Sequence, residues 1–143
     1  MDTHNDRTHR PSLDSGEHRD AITHLIDHLQ RGHDTGDADT YDGLFAGDIL
    51  WGSPKGQVLQ GFAPLNAIHR TQLTGAPASP VSVFELAQAS APTDDVVIAQ
   101  IRRRALSGAF SEMAMYVLVR RDDRWWLAGG QNTPITDVLP ALD

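Results

Sequence analysis

The stretch that decides the fold is residues 81–131, which holds four runs: VSVFELAQA (81–89), VVIAQIRRRAL (96–106), EMAMYVLVRR (112–121) and WWLAGGQ (125–131). Together they are rich in β-branched and aromatic residues, which suit a pleated, half-buried surface. Turn-forming residues separate them: Pro92-Thr93-Asp94-Asp95, then Ser107-Gly108, then Asp122-Asp123. Consecutive strands joined this tightly pair antiparallel.

Upstream the pattern is helical. Asp14-Ser15-Gly16-Glu17 has the spacing of a capping box. Ile22, Leu25, Ile26 and Leu29 then recur at helical spacing along one stripe. This predicts a helix opening at the box and ending between Gly32 and Gly36. A second helix is expected over 37–45, turning Tyr41, Leu44 and Phe45 inward. Residues 48–53 read as a strand stopped by Pro54, and 57–60 pair back on it after a turn. A third helix opens at 61–64 with Pro64 in its first turn, and Leu65, Ile68 and Leu73 form its buried side. Helices first and long strands last give an α+β fold with a mostly antiparallel sheet, not a doubly wound parallel one.

The chain has 143 residues, which suits one domain, expected over 14–143. Residues 1–13 are polar and contain Pro11, so they are expected to be a disordered tail. Its histidines, His4 and His9, with His18 beyond it, are too widely spaced for a convincing metal site. There is no cysteine, which excludes disulfides, thiolate metal sites and a cysteine nucleophile. A formal charge of −7 repels phosphate backbones and argues against nucleic acid as a partner. The N-terminus lacks the apolar core of a secretory signal. No run approaches the roughly 20 apolar residues of a membrane span. A soluble, cytoplasmic protein is expected.

Residues 113–119, MAMYVLV, are apolar on both faces. A single antiparallel sheet packed on helices normally alternates apolar with polar. A second copy of the chain covering the outer face, hence a homodimer, is the expectation.

The order helix, helix, hairpin, helix, four strands resembles the nuclear-transport-factor-2-like superfamily. Two stretches sharpen the likeness: FAGDILWGSPKG (45–56), followed by Gly61 and a helix reaching His69, and WWLAGGQNTP (125–134). Together they resemble the SgcJ/EcaC-type branch of the SnoaL-like proteins of polyketide and enediyne clusters. The resemblance covers about residues 14–135. It implies a cone-like barrel: three N-terminal helices packed on a curved sheet around a deep pocket for a small hydrophobic molecule. It leaves the chemistry open among cyclase, isomerase, hydrolase and non-catalytic binding or chaperone-like proteins.

Ketosteroid-isomerase relatives carry a general-base aspartate directly before a proline in the first hairpin, and here that place is Ser53. A serine hydroxyl is no base unless another group activates it; it can contact a ligand or simply start the turn. Trp51 shares its strand face by period two, as a flat pocket wall or as core. His69 could act as general base, perhaps on Ser53 or a water, or bond the last carbonyls of its helix. Alternation sends Arg102 and Arg104 to one sheet face and Arg103 to the other. A buried arginine needs an acidic partner, and Glu112, with Glu85 as the other candidate, suits Arg102. An Arg102–Glu112 pair either lines the pocket or lies solvated at an interface.

His69, Ser53, Arg102 and Glu112 are thus the catalytic candidates. Tyr41, Trp51, Met115, Gln131 and Asn132 are the ligand-binding candidates. The two amides would hold a polar ligand group or tie the strand end to its neighbour. His24 and His28 are four apart but lack the glutamate of a zinc helix and lie opposite the apolar stripe. No metal is assigned. No dinucleotide or phosphate-loop motif occurs, so no cofactor is assigned either.

Overall fold

In a computed structural model of the chain, which describes residues 9–107 and 110–135, three helices pack on one open sheet. The order is α1 (Arg19–Thr35), α2 (Ala38–Tyr41), β1 (Phe45–Gly52), β2 (Val58–Gln60), α3 (Phe62–Gln72), β3 (Ser82–Thr93), β4 (Val96–Ala105), β5 (Ser111–Arg121) and β6 (Arg124–Ile135). The strands run β2-β1-β6-β5-β4-β3 across the sheet. All neighbours are antiparallel except β1 and β6, which are parallel. The sheet is curved and mixed, with β2 and β3 at its two edges, so the cone is not a closed barrel. Register shifts mark bulges in β3 and at Ala128 in β6, opposite Val117 and Leu118 of β5, and bulges increase twist and bend a strand.

The helix α1 begins later than the capping box implies. His18 occupies its N-cap and makes no side-chain cap bond. Asp14 instead accepts the Gly16 and Ala91 amides through Oδ1, both at 2.9 Å, and the Ser15 amide donates to the Ala91 carbonyl at 2.9 Å. Bonding to β3 holds the box residues away from the helix. The expected disordered tail lies mostly outside the described residues, and 9–13 form no helix or strand.

The stripe on α1 packs as its spacing requires, with Ala21, Ile22, Leu25 and Leu29 buried. The helix closes on Gly36 in the left-handed region, φ 68°, where glycine carries no Cβ penalty. The second helix is a single turn, not the nine residues anticipated. Asp37 caps it by accepting the Asp39 and Thr40 amides, and Asp42 ends it.

On α3 the buried residues are Leu65, Asn66 and His69, while Ile68 is exposed. The expected buried side is rotated, because a polar network claims Asn66 and His69. The last strand runs on to Ile135, four residues past its anticipated end. Within β5, Ala114, Tyr116 and Leu118 face the core; Met113, Met115, Val117 and Val119 alternate with them onto the outer face.

Candidate functional site

The inner face of the sheet and the helices enclose an aromatic cluster. Tyr41 enters from α2, Phe45 and Trp51 from β1, Phe84 from β3 and Tyr116 from β5. His69 comes in from α3 and is ringed by three of them. Its ring centre lies 5.2 Å from Tyr41, 5.8 Å from Trp51 and 6.0 Å from Phe45, each edge-on. Trp51 also sits 5.4 Å from Phe45 and 6.1 Å from Tyr116.

Two glycines make this packing possible. A Cβ on Gly130 would come within 2.8 Å of the Tyr116 ring and 3.1 Å of the Trp51 ring. One on Gly32 would lie 2.5 Å from the backbone of Tyr41, so glycine lets α2 lie against α1 and carry Tyr41 inward.

His69 Nδ1 lies 2.5 Å from Asp42 Oδ1. An ionised carboxylate only accepts, so the neutral imidazole carries its proton on Nδ1 and leaves Nε2 as the basic nitrogen. The second Asp42 oxygen accepts from Asn66 Nδ2 at 2.9 Å. The Asp42 side chain is fully buried and that of His69 keeps 11% exposure. The carboxylate is therefore shut off from solvent and the imidazole nearly so. This is the arrangement of a general base oriented by a carboxylate.

Burial raises the Tyr41 phenol above its usual range, and the Glu112 and Asp42 charges raise it further. Burial does the same to Tyr116. Both phenols stay protonated at neutral pH and can donate hydrogen bonds.

The sequence candidates therefore separate into two groups. His69, Trp51 and Tyr41 converge, and Glu112 is near enough to act on Tyr41. Ser53 does not join them. The strand ends at Gly52, and Ser53 Oγ accepts the Lys55 and Gln57 amides at 3.2 and 3.0 Å, organising the turn before β2. Arg102 is on the outer face, bonded with Arg104 to Glu85 at 3.2 Å each. These two guanidiniums hold the Glu85 carboxyl below its usual range. The arginine that pairs with Glu112 is Arg103, whose Nη2 lies 3.2 Å from Glu112 Oε1. Arg103 also donates to Ser82 Oγ at 2.8 Å and to the Phe110 carbonyl at 3.1 Å. The parity was legible: Arg103 shares its face with Val97, Ala99 and Ile101, all buried.

Met115 is 46% exposed on the outer face. Gln131 is exposed beside Gly52, where a Cβ would strike its amide. Asn132 is buried and donates to the Gly52 carbonyl at 3.2 Å, tying the end of β6 to the end of β1.

Sequence reasoning missed Asp42, Asn66 and His33. Asn66 precedes His69 by three residues on α3, a spacing that places both on one face. No local signal marks a buried aspartate such as Asp42. His33 is buried on α1, 2.8 Å from the Pro80 carbonyl and edge-on to Phe84. Among the described residues, no three histidine, aspartate or glutamate side chains converge as a metal site requires. No helix among them is long and apolar enough to cross a membrane.

Crevices open at the surface of the described residues. One lies between Glu17, Asp94, Arg120 and Trp125, one beside Asp39 and Arg70, and one between α1 and Leu86. Neither Trp51 nor His69 lines any of these three; both sit in the aromatic cluster that stands where the deep pocket was expected.

No protein-family model and no curated protein sequence matches the chain. Solved structures do. An NTF2-like protein of unknown function from Shewanella baltica OS155 superposes with a TM-score of 0.65 at 14% identity, over 90% of this chain and 100% of that one. An uncharacterized protein with a cystatin-like fold from Caulobacter vibrioides gives 0.68 at 18%, over 85% and 92%. A ketosteroid isomerase-like protein from Erwinia carotovora atroseptica SCRI1043 gives 0.65 at 12%, over 85% and 99%. Helices folded onto one curved six-stranded sheet, superposing on these proteins over most of their length, give this chain the nuclear-transport-factor-2-like, cystatin-like α+β fold.

Proposed function

We propose that the chain handles a small, largely apolar, ring-bearing molecule, with His69 acting as general base under the control of Asp42. The contact at 2.5 Å between His69 Nδ1 and Asp42 Oδ1, inside a cage of aromatic rings, carries this reading. The isomerase pattern puts its base at position 53, where this chain has only serine. A base delivered from α3 serves the same interior from another wall. Proton abstraction from a carbon beside a carbonyl, as in isomerisation or cyclisation, is the reaction class that suits such a base. The un-ionised phenols of Tyr41 and Tyr116 suit the developing oxyanion. The branch likeness, to SgcJ/EcaC-type proteins of natural-product biosynthesis, makes a polyketide-derived intermediate the proposed substrate and a cytoplasmic setting the proposed location.

A second reading has its own support. The interior is lined by aromatic side chains, which hold an apolar ring by contact alone, so the same site can shelter an intermediate without converting it.

One experiment separates them. Thermal-shift screening of polyenes, aromatic ketones and long-chain acids should find compounds that raise the melting temperature, because a ligand bound to the folded state stabilises it. Those compounds are then incubated with the wild type and with His69→Gln. Binding by both proteins and conversion by the wild type alone supports the base. Binding without conversion supports the sheltering protein. No shift with any compound removes both.

We also propose a homodimer through the outer sheet face, where Leu50 and Met115 are exposed at 60% and 46%.

A further inference from the structure

A chain of hydrogen bonds runs from the surface to the buried dyad. Arg70 and Asp39 form its outer end, with side chains 62% and 63% exposed. Arg70 Nη2 lies 2.8 Å from each Asp39 oxygen. Arg70 Nε donates to Asn66 Oδ1 at 2.9 Å. The Asn66 amide nitrogen then donates inward to Asp42 Oδ2 at 2.9 Å and outward to Asp39 Oδ1 at 3.3 Å. Asp42 finally meets His69.

The chemistry of each group fixes the direction of every bond. A guanidinium only donates, so the Asn66 oxygen must face Arg70. The Asn66 NH₂ must then face the two carboxylates, which only accept. Both neighbours demand the same amide orientation. The result is one carboxylate, Asp42, with Oδ2 occupied and Oδ1 left for His69. Within this network Asn66 is the group that holds the second carboxylate oxygen. Asn66 and His69 are three apart on α3, so the helix sets the distance between the group that holds the carboxylate and the group it serves.

We propose that Asn66, itself fixed by Arg70, is the positioning residue of the site: it sets the Asp42 carboxylate and so keeps the His69 proton on Nδ1 and Nε2 bare. This rests on the reading of His69 as the base, yet its test needs no substrate.

The test is the long-range ¹H–¹⁵N correlation spectrum of the histidine rings in uniformly labelled protein, followed across the pH range. His69 is assigned from the signals missing in His69→Gln. In the wild type the two His69 nitrogens should be widely separated, Nδ1 as the protonated type and Nε2 as the bare type. In Asn66→Ala that separation should shrink as the tautomers mix. In Arg70→Met, a surface change that leaves the core in place, it should shrink in the same sense by less. A folded Asn66→Ala protein with the wild-type His69 spectrum would overturn the proposal, and so would a wild type already protonated on Nε2. If Asn66→Ala does not fold, Arg70→Met decides, and an unchanged spectrum there counts against it. A positioned tautomer alongside absent ligand binding would leave this proposal standing and remove the functional one.

Discussion

Gly32 on α1 and Tyr41 on α2 are in backbone contact: a Cβ on Gly32 would lie 2.5 Å from the Tyr41 nitrogen, Cα and Cβ. Helix propensity alone says Gly32→Ala should stabilise by about 1 kcal/mol. The contact says the reverse. Neither backbone can yield without moving α2, so overpacking should cost about 1–3 kcal/mol. Urea denaturation of the variant gives the sign, and stabilisation would contradict the packing described.

Asp42 and Arg70 belong to one network but should differ in energetic weight. Asp42→Ala orphans the His69 ring N–H and one Asn66 donor in the interior, each costing about 1–3 kcal/mol. Arg70→Ala removes an exposed ion pair and should cost no more than about 1 kcal/mol. Equal losses in chemical denaturation would mean that Asp42 is not buried as found.

The chain has two tyrosines, and burial raises the pKa of both phenols. In the unfolded chain they titrate near pH ~10. Their contribution to stability is therefore complete below about pH 10 and declines as pH rises above it. Ultraviolet titration should show no phenolate at pH ~10 while the protein stays folded. Ionisation should appear together with alkaline unfolding. A normal titration of either residue would place its hydroxyl in water.

Acid should act through carboxylates whose pKa the fold lowers. Asp37 is held down chiefly by the Thr40 hydroxyl and amide, and Glu85 chiefly by Arg102 and then Arg104. Lowered folded-state values mean stability that is present above the unfolded value, near pH ~4, and lost as pH falls through the folded one. The melting temperature should drop below about pH 4, and the drop should be shallower in Asp37→Asn, which keeps a capping side chain without a titrating one.

If the outer face of β5 is a dimer seam, Met115→Arg places a charge in it. Light scattering should give a dimeric mass for the wild type and a monomeric mass for the variant, with circular dichroism unchanged. A monomeric wild type would end the dimer proposal.

The sequence by itself determined the elements and their segregation. Residues 81–131 announced four strands because turn chemistry and residue type are local properties. The Ile22/Leu25/Leu29 stripe announced α1 for the same reason. It also marked His69, Trp51 and Tyr41, since each is chemically distinctive in its segment. Only the tertiary structure decided their company. That Arg103, not Arg102, meets Glu112 depends on which sheet face turns inward. That Ser53 serves a turn depends on where β1 stops, and that Asp14 bonds Ala91 instead of capping α1 depends on a contact 77 residues away. Asp42 reaches His69 from just past the end of α2, 27 residues away in the chain. Periodicity reports which way a side chain points from its own backbone; which partner lies there is set by how distant segments pack.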